Sequence, residues 1–404
     1  MTRYVFLPTP AYGHVNPTLA IAQELVRRGQ EVTYYVPELF RETVQATGAS
    51  VCCYDSDSRI NSGGSIVPSM VPAMFSEEAR HVLPQVLDSL RTDEPDIIIY
   101  EPLAIWPRIA VSVLQRPAIA LRATFTINEH FNMFQFVIAH LSNNPGFANM
   151  PEMLAQASTV IAELCAQYNV PPFDFPSSHL HAEPLTIVFL PKAFQPAAET
   201  FDERFLFVGP SILTRHEATD FPLERLDSER PLLYISLGTV ANGRPEFFKQ
   251  CFETFGESDY QVVLSRGRRV DPDSLGLVPD NFLVSAYVPQ LEILPRARVF
   301  VSHGGMNSAM ESLYYGVPMV VVPQMGDQFA TGQRVAELGL GLTLDNNTVN
   351  VTELREAVER VANEPAFRER VQQMQQLTRD AGGYMRAVDA IMQFTQEHDK
   401  QTVS

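Results

Sequence analysis

Two groups of residues in this chain have the types and spacing to do chemistry. The first is His14, in Gly13-His14-Val15-Asn16-Pro17, with Glu101 far along the chain as a candidate partner. An imidazole with an ordinary pKa of about 6.5 suits a general base near neutrality, and a carboxylate on its other ring nitrogen would fix the tautomer and stabilise the imidazolium. The second group runs from Ala286 to Gln328. His303-Gly304-Gly305 precedes Met306, Asn307 and Ser308, a loop able to bring backbone N–H groups close to an anion at a helix start. Glu311 lies four and three residues beyond Asn307 and Ser308, on the same helical face and about 5 to 6 Å further along the axis. A diphosphate at the helix start would therefore put an attached ribose within reach of Glu311. Tyr287 and the Val288-Pro289-Gln290 turn offer a flat ring and polar groups to a base, and Asp327-Gln328 could hold hydroxyls at the other end.

The elements that must position these residues are read from hydrophobic periodicity. Val299 to Ser302 and Met319 to Val322 are β-branched runs. Between them Met306, Ala309, Met310, Leu313 and Tyr314 share one helical face, and Gly316 and Pro318 stop the helix. Around this unit, Leu232 to Ser236, Tyr260 to Leu264, Phe282 to Ser285 and Leu342 to Leu344 read as further strands. In the first half, strands are expected at Tyr4 to Leu7, Glu31 to Val36, Ala49 to Tyr54, Asp96 to Tyr100 and Pro117 to Leu121. Helices fall between them, the first opened by Asn16 as N-cap and Pro17 as first helical residue. The fold class is α/β, with two doubly wound Rossmann-like domains: 1–208, a linker over 209–231, and 232–382, followed by a final helical segment, 383–404. In such sheets the first and fourth strands are neighbours where strand order reverses, and ligands bind beyond their carboxyl ends. Those ends carry His14 and Glu101 in one domain. In the other they carry Ser236, Gly238 and Thr239 with His303 and Gly305.

Tyr287 with Val-Pro-Gln, His-Gly-Gly-Met-Asn-Ser at 303–308, Glu311, Gly316-Val317-Pro318 and Asp327-Gln328 resemble, in order, the donor-binding signature of the UDP-dependent glycosyltransferases that glucosylate small lipophilic molecules. The Gly-His-Val-Asn-Pro run resembles the same family, more specifically its bacterial macrolide-glycosylating branch. The resemblance implies the GT-B arrangement, two such domains facing across a cleft with the last helix packed back on the first. It further implies an inverting transfer of a hexose, with UDP-glucose as co-substrate, no other cofactor and no metal. The acceptor would be an apolar small molecule: a macrolide, a flavonoid or another phenol or polyketide. In that branch the matching His is the base and an Asp partners it. Here Glu101 stands at that position, one methylene longer, with Asp55 and Asp57 as alternatives, and Tyr287 stands where relatives often carry Trp. Met70, Met74, Phe75, Phe125, Phe131 and Phe134, with Met133 and Phe136 nearby, are concentrated where the family's acceptor pocket would be. Most such residues are core, and a pocket needs only a few of them.

Composition narrows the alternatives. A net charge of -17 argues against nucleic-acid and anionic-membrane partners. Cys52, Cys53, Cys165 and Cys251 lack metal-ligand spacing, and His179-Leu180-His181, the one close histidine pair, reads as a surface loop. No apolar run approaches the ~18 residues a membrane helix needs, so a cytoplasmic monomer or weak homodimer is expected. A GT-B-fold nucleotide-sugar epimerase and a non-catalytic nucleotide-sugar-binding protein are the competing readings. The first needs no acceptor pocket, and the second has no use for His14 and Glu101.

Overall fold

The computed structural model describes residues 1–56, 68–141, 149–213, 221–239 and 242–402. Its contacts divide the chain into two compact units, Met1–Leu213 with Ala381–Ser404, and Thr214–Asp380. The expected linker falls partly outside the described residues.

Among the described residues the first unit holds seven parallel strands: β1 (Arg3–Leu7), β2 (Glu31–Val36), β3 (Ser50–Cys53), β4 (Ile97–Tyr100), β5 (Ala118–Arg122), β6 (Leu185–Val188) and β7 (Phe205–Phe207). Their order is β3-β2-β1-β4-β5-β6-β7, reversing between β1 and β4. The helices are α1 (Tyr12–Arg27), α2 (Arg41–Gln45), α3 (Val71–Asp93), α4 (Ile105–Leu114), α5 (Met133–Leu141), α6 (Met150–Tyr168) and α7 (Phe175–Leu180). Helices on both faces of a parallel sheet bury its strands completely, which is why β4 reads Ile-Ile-Ile-Tyr without a polar break. Alternate residues then serve opposite cores. Val5, Leu7, Ile98 and Tyr100 pack with Val82, Trp106 and Ile161, whereas Tyr4, Phe6, Ile97 and Ile99 pack with Leu19, Leu25 and Ile391.

One boundary departs from expectation in a way that matters for the site. Helix α1 starts at Tyr12, not at Pro17, and its N-cap is Ala11, in extended conformation. Asn16 therefore lies inside the helix and is not its N-cap. The Ala11 carbonyl accepts the N–H groups of both His14 and Val15 at 2.9 Å, which closes the first turn early. Pro17 is carried inside the helix, where it can donate no backbone bond, because Val15, Leu19, Ile21 and Leu25 bury the helix against the sheet. Packing outweighs the local Asn-Pro signal, and His14 sits in the first helical turn instead of a preceding loop.

The second unit, again among the described residues, holds β8 (Leu232–Ser236), β9 (Gln261–Ser265), β10 (Phe282–Ser285), β11 (Ala297–Ser302), β12 (Met319–Val321) and β13 (Gly341–Thr343), all parallel, in the order β10-β9-β8-β11-β12-β13. Its helices are α8 (Pro245–Phe255), α9 (Gln290–Ile293), α10 (Met306–Tyr315), α11 (Gln328–Glu337), α12 (Val351–Asn363) and α13 (Pro365–Asp380). The last helix, α14 (Gly383–Thr402), belongs to the first unit. It is fixed on α1 by Arg28, which donates to Asp389 at 2.6 Å, and on β1 by the Tyr4 and Thr395 hydroxyls at 2.9 Å. Among the described residues no helix is long and apolar enough to cross a membrane.

Candidate active site

At the reversal in the first unit, Leu7 of β1 is in register with Tyr100 of β4, and the next residue, Glu101, donates its N–H to the Leu7 carbonyl at 3.2 Å. That turn aims Glu101 at α1. His14 Nδ1 lies 2.6 Å from Glu101 Oε1, with the Glu101 side chain 6% exposed and the His14 side chain 21%. Burial pushes the Glu101 carboxyl up, but the charge and hydrogen bond of His14 outweigh it, with Thr9 and Arg122 acting in the same direction. The carboxyl is held below its ordinary range. An ionised Glu101 accepts the Nδ1 proton of a neutral imidazole, and Nε2 is then the nitrogen that carries the basic lone pair. Of the alternative carboxylates, Asp55 is exposed and its backbone is tied to Gln85, while Asp57 lies outside the described residues. The histidine pair expected on a surface loop is not one: His179 is buried in α7, with Nδ1 2.9 Å from the Phe175 carbonyl and from Ser178 Oγ. Burial pulls its imidazole down to about 4.

The second unit repeats the construction. Ser236 of β8 is in register with Ser302 of β11, and His303 donates its N–H to the Ser236 carbonyl at 3.3 Å. The two serine hydroxyls accept from the loops that follow, Ser236 from the Gly238 N–H at 3.3 Å and Ser302 from the Gly304 N–H at 3.1 Å. The glycines have a second use besides backbone approach to a ligand. A Cβ on Gly238 would lie 2.5 Å from His303 Nε2, and one on Gly305 would collide with the same atom, so both exist to admit the imidazole. Burial pulls His303 down to about 4 against the nearby Ser236 carbonyl, which leaves it neutral near pH 7. Helix α10 then begins behind Gly305, and Gly316 ends it in the left-handed conformation at φ 75°.

Three of the expected donor residues have side chains that are buried or bonded within the protein. Gln290 is committed to the protein: its Oε1 accepts from the Tyr234 hydroxyl at 3.1 Å, and its Nε2 donates to Glu311 at 2.5 Å and to Ser308 at 3.3 Å. Its side chain orients Glu311, and the backbone polar groups of the Val288-Pro289-Gln290 turn remain the groups expected at a base. Val288 is buried, whereas Tyr287 is 44% exposed. Gln328 is buried, and its Oε1 accepts the N–H groups of Gln324 and Met325 at 2.8 and 3.1 Å, so that oxygen shapes the loop that carries Asp327. Asp327 itself is partly exposed ahead of α11, and Asn307, Ser308 and Glu311 are partly exposed on α10. Thr239 is exposed.

Residues 249–380 match the family model described as Erythromycin biosynthesis protein CIII-like, C-terminal domain. Over 388 residues the chain is 39% identical to the NDP-glycosyltransferase YjiC of Bacillus subtilis, covering 95% of each protein. The chain belongs to this glycosyltransferase family. It is also 30% identical to the oleandomycin glycosyltransferase of Streptomyces antibioticus, over 97% of this chain and 90% of that one. Among solved structures, that of CalG4, the calicheamicin glycosyltransferase, is similar with a TM-score of 0.82 at 33% identity, covering 98% of this chain and 99% of that one. The protein is thus an enzyme, a glycosyltransferase of the GT-B fold class.

The glycosyltransferase sorts its proposed acceptor residues into two sets. Phe75 packs in the core of the first unit, whereas Phe125 is buried with its ring stacked on Phe194 at 5.7 Å and edged by Phe131 at 5.6 Å. Met133 is buried too. Met70 is exposed, and Met74, Phe131, Phe134 and Phe136 are partly so, Phe134 lying edge-on to His179 at 4.7 Å. The stretches 57–67 and 142–148, within the segments expected to shape that pocket, lie outside the described residues. Cavities of about 570 and 550 Å³ occur in the first unit, one lined by Tyr35, Cys52 and Asp93 and the other by Arg108, Phe173 and Glu183. Neither is lined by His14 or Glu101.

Sequence reasoning missed two residues. Arg244 reaches the loop before Asp327, donating to Gln324 Oε1 at 3.0 Å, although it comes from a segment some eighty positions away. Arg122 lies buried near Glu101, and its signal was legible: a lone cation closing the apolar strand Ala-Ile-Ala-Leu-Arg.

Proposed function

We propose that this enzyme moves a hexose, glucose from UDP-glucose, to a hydroxyl of an apolar small molecule by direct displacement with inversion. The observation that carries this reading is the 2.6 Å contact between His14 Nδ1 and Glu101 Oε1. His14 Nε2 takes the acceptor proton as the acceptor oxygen forms its bond to the anomeric carbon, and the bond from that carbon to the UDP oxygen breaks. Glu101 stabilises the imidazolium. The charge left on UDP is met by the N–H groups that open α10 and by His303, Asn307 and Ser308, which is why no metal is required beside the UDP-sugar co-substrate. Preorganised donors at a developing charge are commonly the largest catalytic term. Glu311, oriented by Gln290, accepts from the ribose, and the exposed Tyr287 ring offers its face to the base. Asp327 holds sugar hydroxyls, and the resemblance of Asp327-Gln328 to a pair associated with glucose recognition supports glucose as the donor sugar.

The names of the relatives support an apolar natural product as acceptor, and Met70, Met74, Phe131 and Phe134 supply adaptable surface for one. A net charge of -17 supports a soluble enzyme with small-molecule partners and no polyanionic ones, and the proposal extends to a cytoplasmic monomer or weak dimer. The test is incubation with UDP-glucose, with and without a mixed panel of phenols and macrolides. Several unrelated lipophilic hydroxyl compounds should be glucosylated, with configuration inverted at the anomeric carbon. A product formed without acceptor, or turnover of polar sugars alone, would sink the proposal.

A further inference from the structure

Near the His14–Glu101 pair lies a cation that the mechanism does not use. Arg122 closes β5, a strand buried along its whole length, and is itself 7% exposed. Its Nη2 donates to the carbonyls of His179 and His181 at 2.7 and 3.0 Å, and its Nε is buried without a partner. Among the described residues it makes no ion pair. An isolated guanidinium in an apolar core is strongly unfavourable unless an anion compensates it. Tyr100 of β4 is in register with Ala120 of β5, so Glu101 stands one step short of Arg122 on the adjacent strand end, with backbones about 6 Å apart. Glu101 is also buried, with Oε1 on His14 and Oε2 lacking a partner.

The other groups around them do not fill that role. Glu183 is occupied by the Tyr100 hydroxyl at 2.6 Å and by His181 at 3.2 Å. Arg108 of α4 has the wrong sign and lies over the Phe173 ring, and His179 is held neutral by burial. Thr9 and His14 face Glu101 from the β1 side. Glu101, whose direct partner is His14, is therefore the carboxylate left to balance Arg122, and Arg122 adds to the positive charge that acts on it.

We propose that Arg122 is a positioning residue which, resting on His14 as the base, keeps Glu101 ionised and so keeps the His14 proton on Nδ1 and the basic lone pair on Nε2. Without the cation, protonation of the carboxylate and formation of the imidazolium both become easier, and both silence the base. The acidic limb of the turnover profile must then move to higher pH.

The experiment measures turnover against pH for the intact enzyme and for Arg122→Met, Arg122→Lys, and Arg122→Met combined with Glu101→Gln. In Arg122→Met the acidic limb should rise by about one pH unit, a loss of about tenfold on the limb, while Arg122→Lys stays close to the parent. In the Glu101→Gln background the shift should shrink. A uniform loss at every pH, or an equal shift without the carboxylate, overturns the proposal. Should Arg122→Met fold poorly, its melting temperature decides: adding Glu101→Gln should raise it, because no uncompensated buried charge is left, and no rise counts against the pairing. His14→Ala, measured alongside, separates the two levels. Retained turnover there overturns the base assignment, whereas a dead His14→Ala with an unmoved Arg122→Met profile overturns only the role of Arg122.

Discussion

The two strand-order reversals share one backbone turn and carry opposite polarity. In the first unit Glu101 donates its N–H to Leu7, and in the second His303 donates its N–H to Ser236, at 3.2 and 3.3 Å. What differs is the residue that follows the fourth strand. A carboxylate held ionised beside an imidazole favours a positive charge developing on His14. A histidine held neutral by burial, beside the start of a ten-residue helix, favours a negative charge developing on a leaving group. Topology fixes where a site can be, and in the proposed reaction the residue at each strand end is matched to the charge that develops beside it.

The steepest way to break this comparison is to remove the base. His14→Ala should cut turnover by ~10²- to 10⁴-fold while leaving UDP binding nearly intact, since UDP is assigned to the other unit. Glu101→Gln keeps the shape but removes the charge, so turnover should fall by less. The double variant should be little worse than His14→Ala alone, because partners acting as a unit are not additive. Turnover of an aliphatic alcohol by the four proteins, with UDP binding as folding control, is the measurement. Full activity in Glu101→Gln would detach the carboxylate from the base.

The matching intervention in the second unit is Gly305→Ala. The added methyl meets His303 Nε2, and overpacking of this kind typically costs about 1 to 3 kcal/mol. UDP affinity should fall by about tenfold or more, with the acid–base behaviour of His14 unchanged. Calorimetric titration with UDP separates the units: an undiminished affinity would mean that the imidazole placement is irrelevant to the donor.

Different parts of this design were legible in the sequence for different reasons. The strands were, since burial on both faces of a parallel sheet leaves uninterrupted apolar runs such as Ile97 to Tyr100 and Leu232 to Ser236. The pairing of His14 with Glu101 was expected from topology, the β1–β4 reversal having one carboxyl end, with Asp55 and Asp57 left open as alternatives. The start of α1 was misread because the Asn16-Pro17 signal is local while the burial of Val15 and Leu19 is tertiary. Side chains that serve the fold and those that would serve a ligand look alike in sequence. Gln290 and Gln328 fit a donor signature, and nothing in that signature shows that their side chains also hold Glu311 and the Gln324–Met325 backbone. Phe75 and Phe125 were indistinguishable from pocket lining for the same reason.

A smaller effect sharpens the donor side. With the Gln328 oxygen committed to the backbone, the Asp327 carboxylate and the Gln328 amide N–H groups are the groups proposed to meet sugar hydroxyls. Losing a hydrogen bond to a charged group costs about 1.5 to 3 kcal/mol, so Asp327→Ala should slow glucose transfer by at least about tenfold, and UDP-glucose should outperform UDP-N-acetylglucosamine and dTDP-deoxysugars. Equal rates with a 6-deoxy donor would remove the assignment. Gln328→Ala should instead act through the loop, and lower the melting temperature as well as the rate.

The smallest expected effect is the most informative about polarity. If the second reversal stabilises the leaving diphosphate with helix N–H groups, neutral His303, Asn307 and Ser308, the charge is met without a divalent ion, and chelation has nothing to remove. A cation would be needed only if those donors were too few or too far from the phosphate. The Asp55-Ser56-Asp57 run belongs to the first half of the chain, outside the stretch that carries His303 and Glu311. Turnover in excess EDTA should therefore match turnover in Mg²⁺ to within about twofold, well below the tenfold that a lost charge contact would produce. The same pair of assays on Gly305→Ala sets the scale, since a site whose own donors are displaced should gain from added Mg²⁺ where the intact site does not. Activity that disappears in EDTA and returns only with Mg²⁺ or Mn²⁺ would mean that the two reversals do not divide the charges of the reaction between them, and that the second holds a cation in place of supplying the positive end itself.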